Sequence, residues 1–207
     1  MTYTMTPPST SAAALRRTAG ACAAAAFAAF TLSDLVHPGY DLVAEPVSRY
    51  VNGTHGWLVS FGIAAFALAT AAVAALAGRG KGRSLLAGAA AGFAVAAVFP
   101  ADPPGRWRAP SLSETVHGAA AWIALILLCV ATHVVTRSLR RSTGLPLHAL
   151  RACAAATTTG LVLFAVCLAD RMALTHSAPL GLAERLLLDA GLAWLALAAA
   201  TTRKAAR

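Results

Sequence analysis

Ionisable and hydroxyl side chains lie where apolar stretches of this sequence end, and their chemistry is that of a small polar site. The candidates are Asp34, His37, Tyr40, Ser48, Asp102, His117, Glu184, Arg185 and Asp189. Asp34 and His37 are three residues apart, so they share a helix face if the helix extends to His37. Arg185 is expected to contact at least one carboxylate, either Asp189 one turn away on the same helix or Asp34 across the bundle. These residues would form either a polar pocket or a set of ion pairs and caps that fix helix ends to loops.

A zinc site is a sharper alternative for the same region. Three ligands and a water would come from His37, His117 and either His55 or His176, with Asp34 or Asp102. Zinc-bound water attacks esters and amides, so this arrangement predicts a membrane-embedded metal-dependent hydrolase with its active site at the outer face. The sequence has no H-E-x-x-H or similar local spacing, and scattered histidines are more often hydrogen-bonded than metal-bound. The favoured interpretation therefore includes no cofactor.

Two further chemistries would use the same histidines. Haem b needs two axial ligands at equal depth, and His117 with His37 or His176 would be the outer pair. His37 precedes a proline at a helix end, which is a poor position for a haem ligand. Ser48 or Ser113 beside His117 would resemble a nucleophile with its base, but the G-x-S-x-G context is missing. A loop hydroxyl and a helix N-cap are the simpler interpretations of the two serines.

The composition indicates which elements must position these residues. Hydrophobic residues make up 58% of the 207 residues and charged residues only 12%, with a mean hydropathy of +0.66. Soluble domains carry about twice that charged fraction. The net charge is +9, but the basic residues fall in short clusters between apolar runs, which is typical of cytoplasmic membrane loops. The composition predicts a polytopic membrane protein whose main partner is the lipid bilayer and which binds no nucleic acid.

Six apolar runs follow one another along the chain. Their bounds are Thr18–Val36, Trp57–Ala77, Leu85–Phe99, Val116–Val135, Ala152–Ala169 and about Leu180–Ala200. Most approach the roughly 20 residues that a helix needs to cross the hydrocarbon core. We therefore expect an all-α bundle of six transmembrane helices in one domain, residues 15–202. Residues 1–14 are expected to form a disordered cytoplasmic tail, and residues 203–207 a basic cytoplasmic tail.

The basic residues predict the orientation of the bundle. Of the 17 lysines and arginines, 12 fall at the end that carries both termini and five at the other end. The positive-inside rule therefore places both termini in the cytoplasm, with the polar candidates facing outward. All eight acidic residues lie on the outward side or in the outward part of a helix. Arg137, Arg140, Arg141 and Arg151 are expected to contact anionic headgroups as a topology signal, without specific recognition.

Gly88 and Gly92 form a G-x-x-x-G motif in the third run. Small residues at this spacing let helices approach closely in lipid, where hydrophobicity no longer drives association. The motif predicts either a homodimer interface or, more commonly, close packing within the same chain.

Four short motifs occur in order between residues 38 and 185. They are Pro38-Gly39-Tyr40 with Val47-Ser48, Phe99-Pro100-Ala101-Asp102, Ser113-Glu114-Thr115-Val116-His117, and Gly181-Leu182-Ala183-Glu184-Arg185. Their order and spacing resemble those of the bacterial and archaeal membrane proteins grouped as domain of unknown function 998, over about residues 20–200. The resemblance implies a six-helix membrane protein of unknown activity. The family often has an acid after the loop serine, where this chain has Arg49.

The favoured interpretation is a multi-pass membrane protein of the bacterial plasma membrane with an outward-facing polar pocket. That pocket would bind a small molecule, a lipid headgroup or a partner. The metal-dependent hydrolase is the alternative. The sequence names neither the ligand nor the oligomeric state.

Overall fold

The computed structural model describes residues 10–107, 109–139, 145–174 and 177–201, and all regular secondary structure in these ranges is helical. The described ranges contain six long helices and one short 3-10 helix, Val47–Asn52. The long helices are α1 (Thr10–Val36), α2 (Trp57–Leu76), α3 (Lys81–Val98), α4 (Leu112–Ser138), α5 (Leu145–Ala173) and α6 (Leu180–Thr201). The predicted all-α fold is confirmed.

Several helices extend beyond the apolar runs that predicted them. Helix α1 begins at Thr10, so residues 10–14 are helical where a disordered tail was expected, while residues 1–9 and 203–207 lie outside the described residues. Helix α5 begins at Leu145 and not at Ala152, with Pro146 in the first turn, where a proline is tolerated. Hydropathy marks only the apolar part of a helix, and alanine and arginine continue it beyond that part because both are good helix formers.

The six helices form a closed ring. Each packs against the next along the chain, and α6 returns to pack against α1. Helix α6 also contacts α2 and α4, so it lies at the centre of the bundle. Its Trp194 is fully buried and donates from Nε1 to Oγ1 of Thr136 on α4 at 3.0 Å. Phe66 of α2 stacks on Phe93 of α3 with ring centroids 4.5 Å apart.

Small residues set the close approach of neighbouring helices. A Cβ on Gly88 would lie 2.9 Å from Leu127, and one on Gly92 would lie 2.8 Å from the carbonyl oxygen of Ala120. Both glycines of the G-x-x-x-G motif therefore face α4 of the same chain, which is the intramolecular alternative. A homodimer through the motif stays a prediction.

Four helices within the described ranges are long and apolar enough to cross a membrane. These candidate spans are Ser11–Val36, Trp57–Leu76, Leu112–Ser138 and Leu147–Ala173, which lie in α1, α2, α4 and α5. Helix α3 carries Lys81 and Arg83 in its first turn, and α6 carries three charged residues. Helices α3 and α6 are not among the four candidate spans. The apolar helices identify the chain as a membrane protein.

The long loops meet at one end of the bundle. Residues 37–56, between α1 and α2, contact residues 99–111, between α3 and α4, and we call these two segments the loop layer. Gly181 at the start of α6 donates its N–H to Val43 of the same layer at 2.9 Å. The opposite end carries the short α2–α3 turn, where Gly78 and Gly80 have φ angles of 68° and 140°. A side chain would be strained in that conformation.

Candidate functional site

Arg185 joins the two helices that close the ring. Its Nε donates to Oδ2 of Asp34 on α1 at 3.0 Å, and its Nη2 donates to Oδ1 at 2.5 Å. The remaining Nη1 donates to the carbonyl oxygens of Leu42, Glu45 and Gly181 at 3.0–3.1 Å. Both partners of the ion pair are largely buried, with 15% and 19% of their side chains exposed. The predicted contact of Arg185 with a carboxylate is confirmed, and the partner is Asp34.

Gly181, the second residue of α6, has no side chain at the point where the loop layer crosses the helix. A Cβ on Gly181 would overlap the carbonyl oxygens of Glu45 and Leu42. Arg171 near the end of α5 donates from Nη2 to Oε1 of Glu45 at 2.8 Å. A loop can lie this close to a helix only if there is space for its backbone and if its carbonyl groups have hydrogen-bond partners. Gly181 supplies the space, and the ion pair with Arg171 holds the α1–α2 loop against α5.

Arg49 is a buried cation in the 3-10 helix, and it joins the two segments of the loop layer. Its side chain is 4% exposed, and Nη1 donates to the carbonyl oxygens of Asp102 and Pro103 at 3.1 and 2.8 Å. Its Nη2 lies 3.3 Å from Oε1 of Glu114, and the guanidinium lies 3.7 Å from the ring centroid of Trp107. Burial lowers the pKa of Arg49, and the nearby Glu114 carboxylate opposes that change.

Asp102 and Glu114 hold the start of α4 by hydrogen bonds to the backbone. Oδ2 of Asp102 accepts from the N–H of Ser111 at 2.7 Å, and Oγ of Ser111 caps the helix by accepting from the N–H of Glu114 at 3.1 Å. Oε2 of Glu114 accepts from the N–H of Asp102 at 2.7 Å. The backbone N–H of Ser111 lowers the pKa of Asp102, since it favours the charged carboxylate. Asp102 therefore acts here as a helix-fixing residue.

His37 and Tyr40 belong to an aromatic cluster within the loop layer. His37 is buried and donates from Nδ1 to the carbonyl oxygen of Ser33 at 2.7 Å. Its ring lies 5.8 Å from that of Tyr40 and 5.7 Å from that of Tyr50, and the two tyrosine rings are 4.7 Å apart. The hydroxyl of Tyr50 is buried, and burial raises its pKa. The cluster packs the end of α1 against the 3-10 helix.

Ser48, His117 and Glu184 come together deeper in the bundle. His117 donates from Nδ1 to the carbonyl oxygens of Ala96 and Phe99, 2.9 and 2.8 Å away at the end of α3. Glu184 accepts from the backbone N–H of Val47, the residue before Ser48. His117 and Glu184 are 6% and 7% exposed. Helices α4 and α6 and the 3-10 helix thus each contribute one side chain to a buried polar cluster.

Two adjoining cavities share this cluster. The first, which we call the inner chamber, has a volume of about 40 Å³ and apolar walls that include Phe30, Phe66 and Phe93. The second, the side cleft, has a volume of about 90 Å³ and lies between the loop layer, α4, α5 and α6. Its walls include Arg49, Trp107, Trp122, Phe164 and Leu168. Ser48, His117 and Glu184 line both cavities, so they separate two small spaces with mainly apolar walls.

The nine candidates from the sequence therefore occupy five different environments. Ser48, His117 and Glu184 line the cavities, Asp34 and Arg185 form the α1–α6 ion pair, Asp102 fixes α4, and His37 and Tyr40 lie in the aromatic cluster. Asp189 is exposed on α6. Of the two carboxylates expected to pair with Arg185, Asp34 forms the ion pair and Asp189 does not, because the side chain of Arg185 extends towards α1 and the loop layer.

The predicted metal ligands do not form a group within the described residues. No three histidine, cysteine, aspartate or glutamate side chains lie close enough together there to hold a metal ion. His37 and His117 each direct Nδ1 to a backbone carbonyl oxygen, and His176 lies outside the described part of the chain. The zinc and haem sites stay predictions.

Sequence reasoning missed Arg49 and the Glu45–Arg171 pair as parts of this end of the protein. Both pairs join segments far apart in the sequence, Arg49 to Glu114 and Arg171 to Glu45, so no local spacing could indicate them. One signal was present for Arg49. Arg49 stands at a position where members of the resembling family often have an acid, and its loop already contains the candidates His37, Tyr40 and His55.

Helical architecture, apolar spans and a buried polar cluster under one layer of loops define a multi-pass α-helical membrane protein. The chain belongs to the family described as protein of unknown function (DUF998), whose model matches residues 20–201. The resemblance seen in the sequence motifs is thereby confirmed. No curated protein and no solved structure matches the chain.

Proposed function

We propose that this protein binds a small amphipathic molecule or lipid headgroup that presents hydroxyl or ammonium donors to Ser48, His117 and Glu184. The observation that carries the proposal is the hydrogen-bond inventory of this cluster. His117 uses its Nδ1 proton on two carbonyl oxygens, which leaves Nε2 of the neutral ring as an acceptor. Glu184 already accepts from the backbone N–H of Val47, and the hydroxyl of Ser48, which lines the same cavities, can also accept a hydrogen bond. Ser48, His117 and Glu184 therefore offer acceptors where the two cavities adjoin, and a complementary ligand supplies donors.

The walls and size of the cavities support the amphipathic part of the proposal. Aromatic and aliphatic side chains surround the polar cluster, including Phe30, Phe93 and Trp122. A ligand with a short apolar segment fits such walls, since binding pockets are usually apolar with a few polar groups that fix orientation. Volumes of about 40 and 90 Å³ accommodate a few non-hydrogen atoms each, so only the polar end of a larger lipid would enter.

We further propose that all six helices cross the bacterial plasma membrane with both termini in the cytoplasm, so that the loop layer faces outward. The α1–α2 loop contacts the α3–α4 loop at one end of the bundle, which supports this arrangement. These two loops can meet only if α2 runs away from that end and α3 runs back to it, so both helices cross the bundle. The basic residues at the opposite end support the orientation. The ion pair of Arg185 with Asp34 and the hydrogen bond from Val47 to Glu184 offset the cost of two of the three charged residues in α6.

The ligand proposal predicts a thermal shift with a small amine. We expect n-butylamine to raise the Tm of purified protein by about 4 °C at ten times its Kd, because a ligand that binds only the folded state stabilises it. Glu184→Gln, which removes the charge but keeps the shape, is expected to abolish the shift. Thermal denaturation of the detergent-solubilised protein measures both.

Two controls separate specific binding from a general effect of the amine. Butanoate has the same chain length with an acceptor in place of the donors, and we expect it to produce no shift. Asp189→Asn removes an acid from the same helix, outside both cavities, and is expected to leave the butylamine shift intact. Equal shifts with butanoate, or a full butylamine shift in Glu184→Gln, would contradict the proposal.

A further inference from the structure

A second, larger cleft lies at the opposite end of the bundle from the loop layer. Its volume is about 310 Å³, and it lies between α4 and α5, lined by His133, Thr136, Arg137, Arg151 and Ala154. Arg137 is one residue from the end of α4, and Arg151 is six residues into α5, which is about 9 Å along the helix axis. We call this space the basic cleft.

The arginines of the basic cleft have no acidic side chain at their end of the protein. All eight aspartates and glutamates lie in the loop layer or in the half of a helix that leads to it. The basic end also carries Arg16, Arg17, Arg79, Lys81 and Arg83. Arg137 and Arg151 are both exposed. The positive charge of the cleft is therefore not neutralised by a carboxylate side chain of this chain, and an anion from outside is the complementary ligand.

His133 adds a fixed polar group at the deeper side of the basic cleft. Thr158 donates its hydroxyl proton to the carbonyl oxygen of Ala154 at 3.0 Å, so His133 donates from Nε2 to Oγ1 of Thr158 at 2.8 Å. That bond holds the imidazole against α5 and keeps its ring orientation. His133 lies one turn before Arg137 on the same helix, so the two side chains share a face of α4.

We propose that the basic cleft binds the phosphate group of an anionic membrane lipid. Guanidinium groups are the preferred protein partners of phosphate because they donate two parallel hydrogen bonds. A lipid is favoured over free phosphate because the cleft lies between two helices that are long and apolar enough to cross a membrane. Basic spaces between transmembrane helices are known lipid headgroup sites. This inference is independent of the ligand proposed for the inner chamber.

The test is retention of phosphatidylglycerol by the detergent-purified protein, measured by native mass spectrometry. Wild-type protein is expected to retain phosphatidylglycerol at least about tenfold better than phosphatidylcholine with the same acyl chains, a difference of about 1.4 kcal/mol. The double variant Arg137→Gln with Arg151→Gln is expected to lose that preference. Arg137→Lys with Arg151→Lys keeps both charges and is expected to lose only part of it, because lysine cannot form the two parallel bonds.

A matched control removes the same charge elsewhere. Arg79→Gln with Arg83→Gln lies at the same end but outside the basic cleft, and it is expected to keep the lipid preference. Equal loss in both glutamine double variants would overturn the proposal, since net charge alone would then explain retention. Equal retention of the two lipids by wild type would also overturn it. Displacement of the lipid by millimolar inorganic phosphate would identify free phosphate as the ligand and overturn the assignment to a lipid.

Discussion

Replacing Arg185 with methionine is expected to lower the free energy of unfolding by about 4 kcal/mol, the largest effect of any single substitution proposed here. Methionine keeps much of the side-chain volume but removes the guanidinium that donates two hydrogen bonds to the Asp34 carboxylate. It also leaves three carbonyl oxygens, those of Leu42, Glu45 and Gly181, without a donor. Reversible unfolding in mixed micelles, followed by circular dichroism, measures the change.

The same pair can be tested by a double-mutant cycle. Asp34→Asn with Arg185→Met is expected to cost less than the sum of the two single substitutions, because removing both charges leaves neither unpaired. Arg106→Gln is the control, since this arginine is exposed and lies 4.0 Å from its acid, and no measurable change is expected. A loss under about 1 kcal/mol in Arg185→Met would show that the pair does not hold α1 to α6.

Arg49→Met is expected to have the second largest effect, lowering the free energy of unfolding by about 3 kcal/mol. The substitution leaves the Glu114 carboxylate without its cation and removes two hydrogen bonds to the 99–111 segment. It also removes the contact with the ring of Trp107. Hydrogen exchange should become faster in residues 99–107 of the loop layer, because their attachment to the 3-10 helix is lost.

Arg49→Lys separates charge from geometry at the same position. Lysine keeps the positive charge but cannot donate to two carbonyl oxygens and a carboxylate from one planar group, so we expect about half of the loss seen with methionine. Wild-type stability and unchanged hydrogen exchange in Arg49→Met would contradict the assignment of Arg49 as the residue that joins the two loops. In that case, the hydrogen bond from the side-chain amide of Asn52 to the carbonyl oxygen of Ala101 would still connect the two segments.

The helices could be predicted from the sequence because their signal is local. Each apolar run corresponds to one of the six helices. The N-cap of α4 is Ser111 and not Ser113, the residue that the sequence suggested, because the hydroxyl of Ser113 donates to the carbonyl oxygen of Pro100. The ends were less predictable, since Thr10 and Leu145 begin helices in stretches that hydropathy does not mark. Which helices close the ring could not be predicted, because alanine-rich faces look alike in sequence and only packing distinguishes them.

The candidate site was predictable only in part, for a related reason. The partner of Arg185 is 151 residues away on α1, and the one-turn neighbour Asp189 was the more obvious choice from spacing. Histidines 37 and 117 were predicted to face one pocket, yet His37 packs against tyrosines while His117 lines the cavities. The roles of these residues depend on how the 3-10 helix of the loop layer packs against α1, α4 and α6, and no local pattern encodes that geometry.

Labelling of a cysteine at Ser48 tests the central claim, an outward-facing polar pocket, most directly. In a background with Cys22, Cys129, Cys153 and Cys167 replaced by alanine, Ser48→Cys is treated in intact cells with a small impermeant methanethiosulfonate. Gly39→Cys is the outer control, since nothing lies within 4 Å of its Cβ position, and Arg79→Cys is the inner control. We predict that cysteines 39 and 48 react in intact cells, the second more slowly, and that cysteine 79 reacts only after lysis. Reaction of cysteine 48 only after lysis, or the reverse pattern in the two controls, would contradict the account.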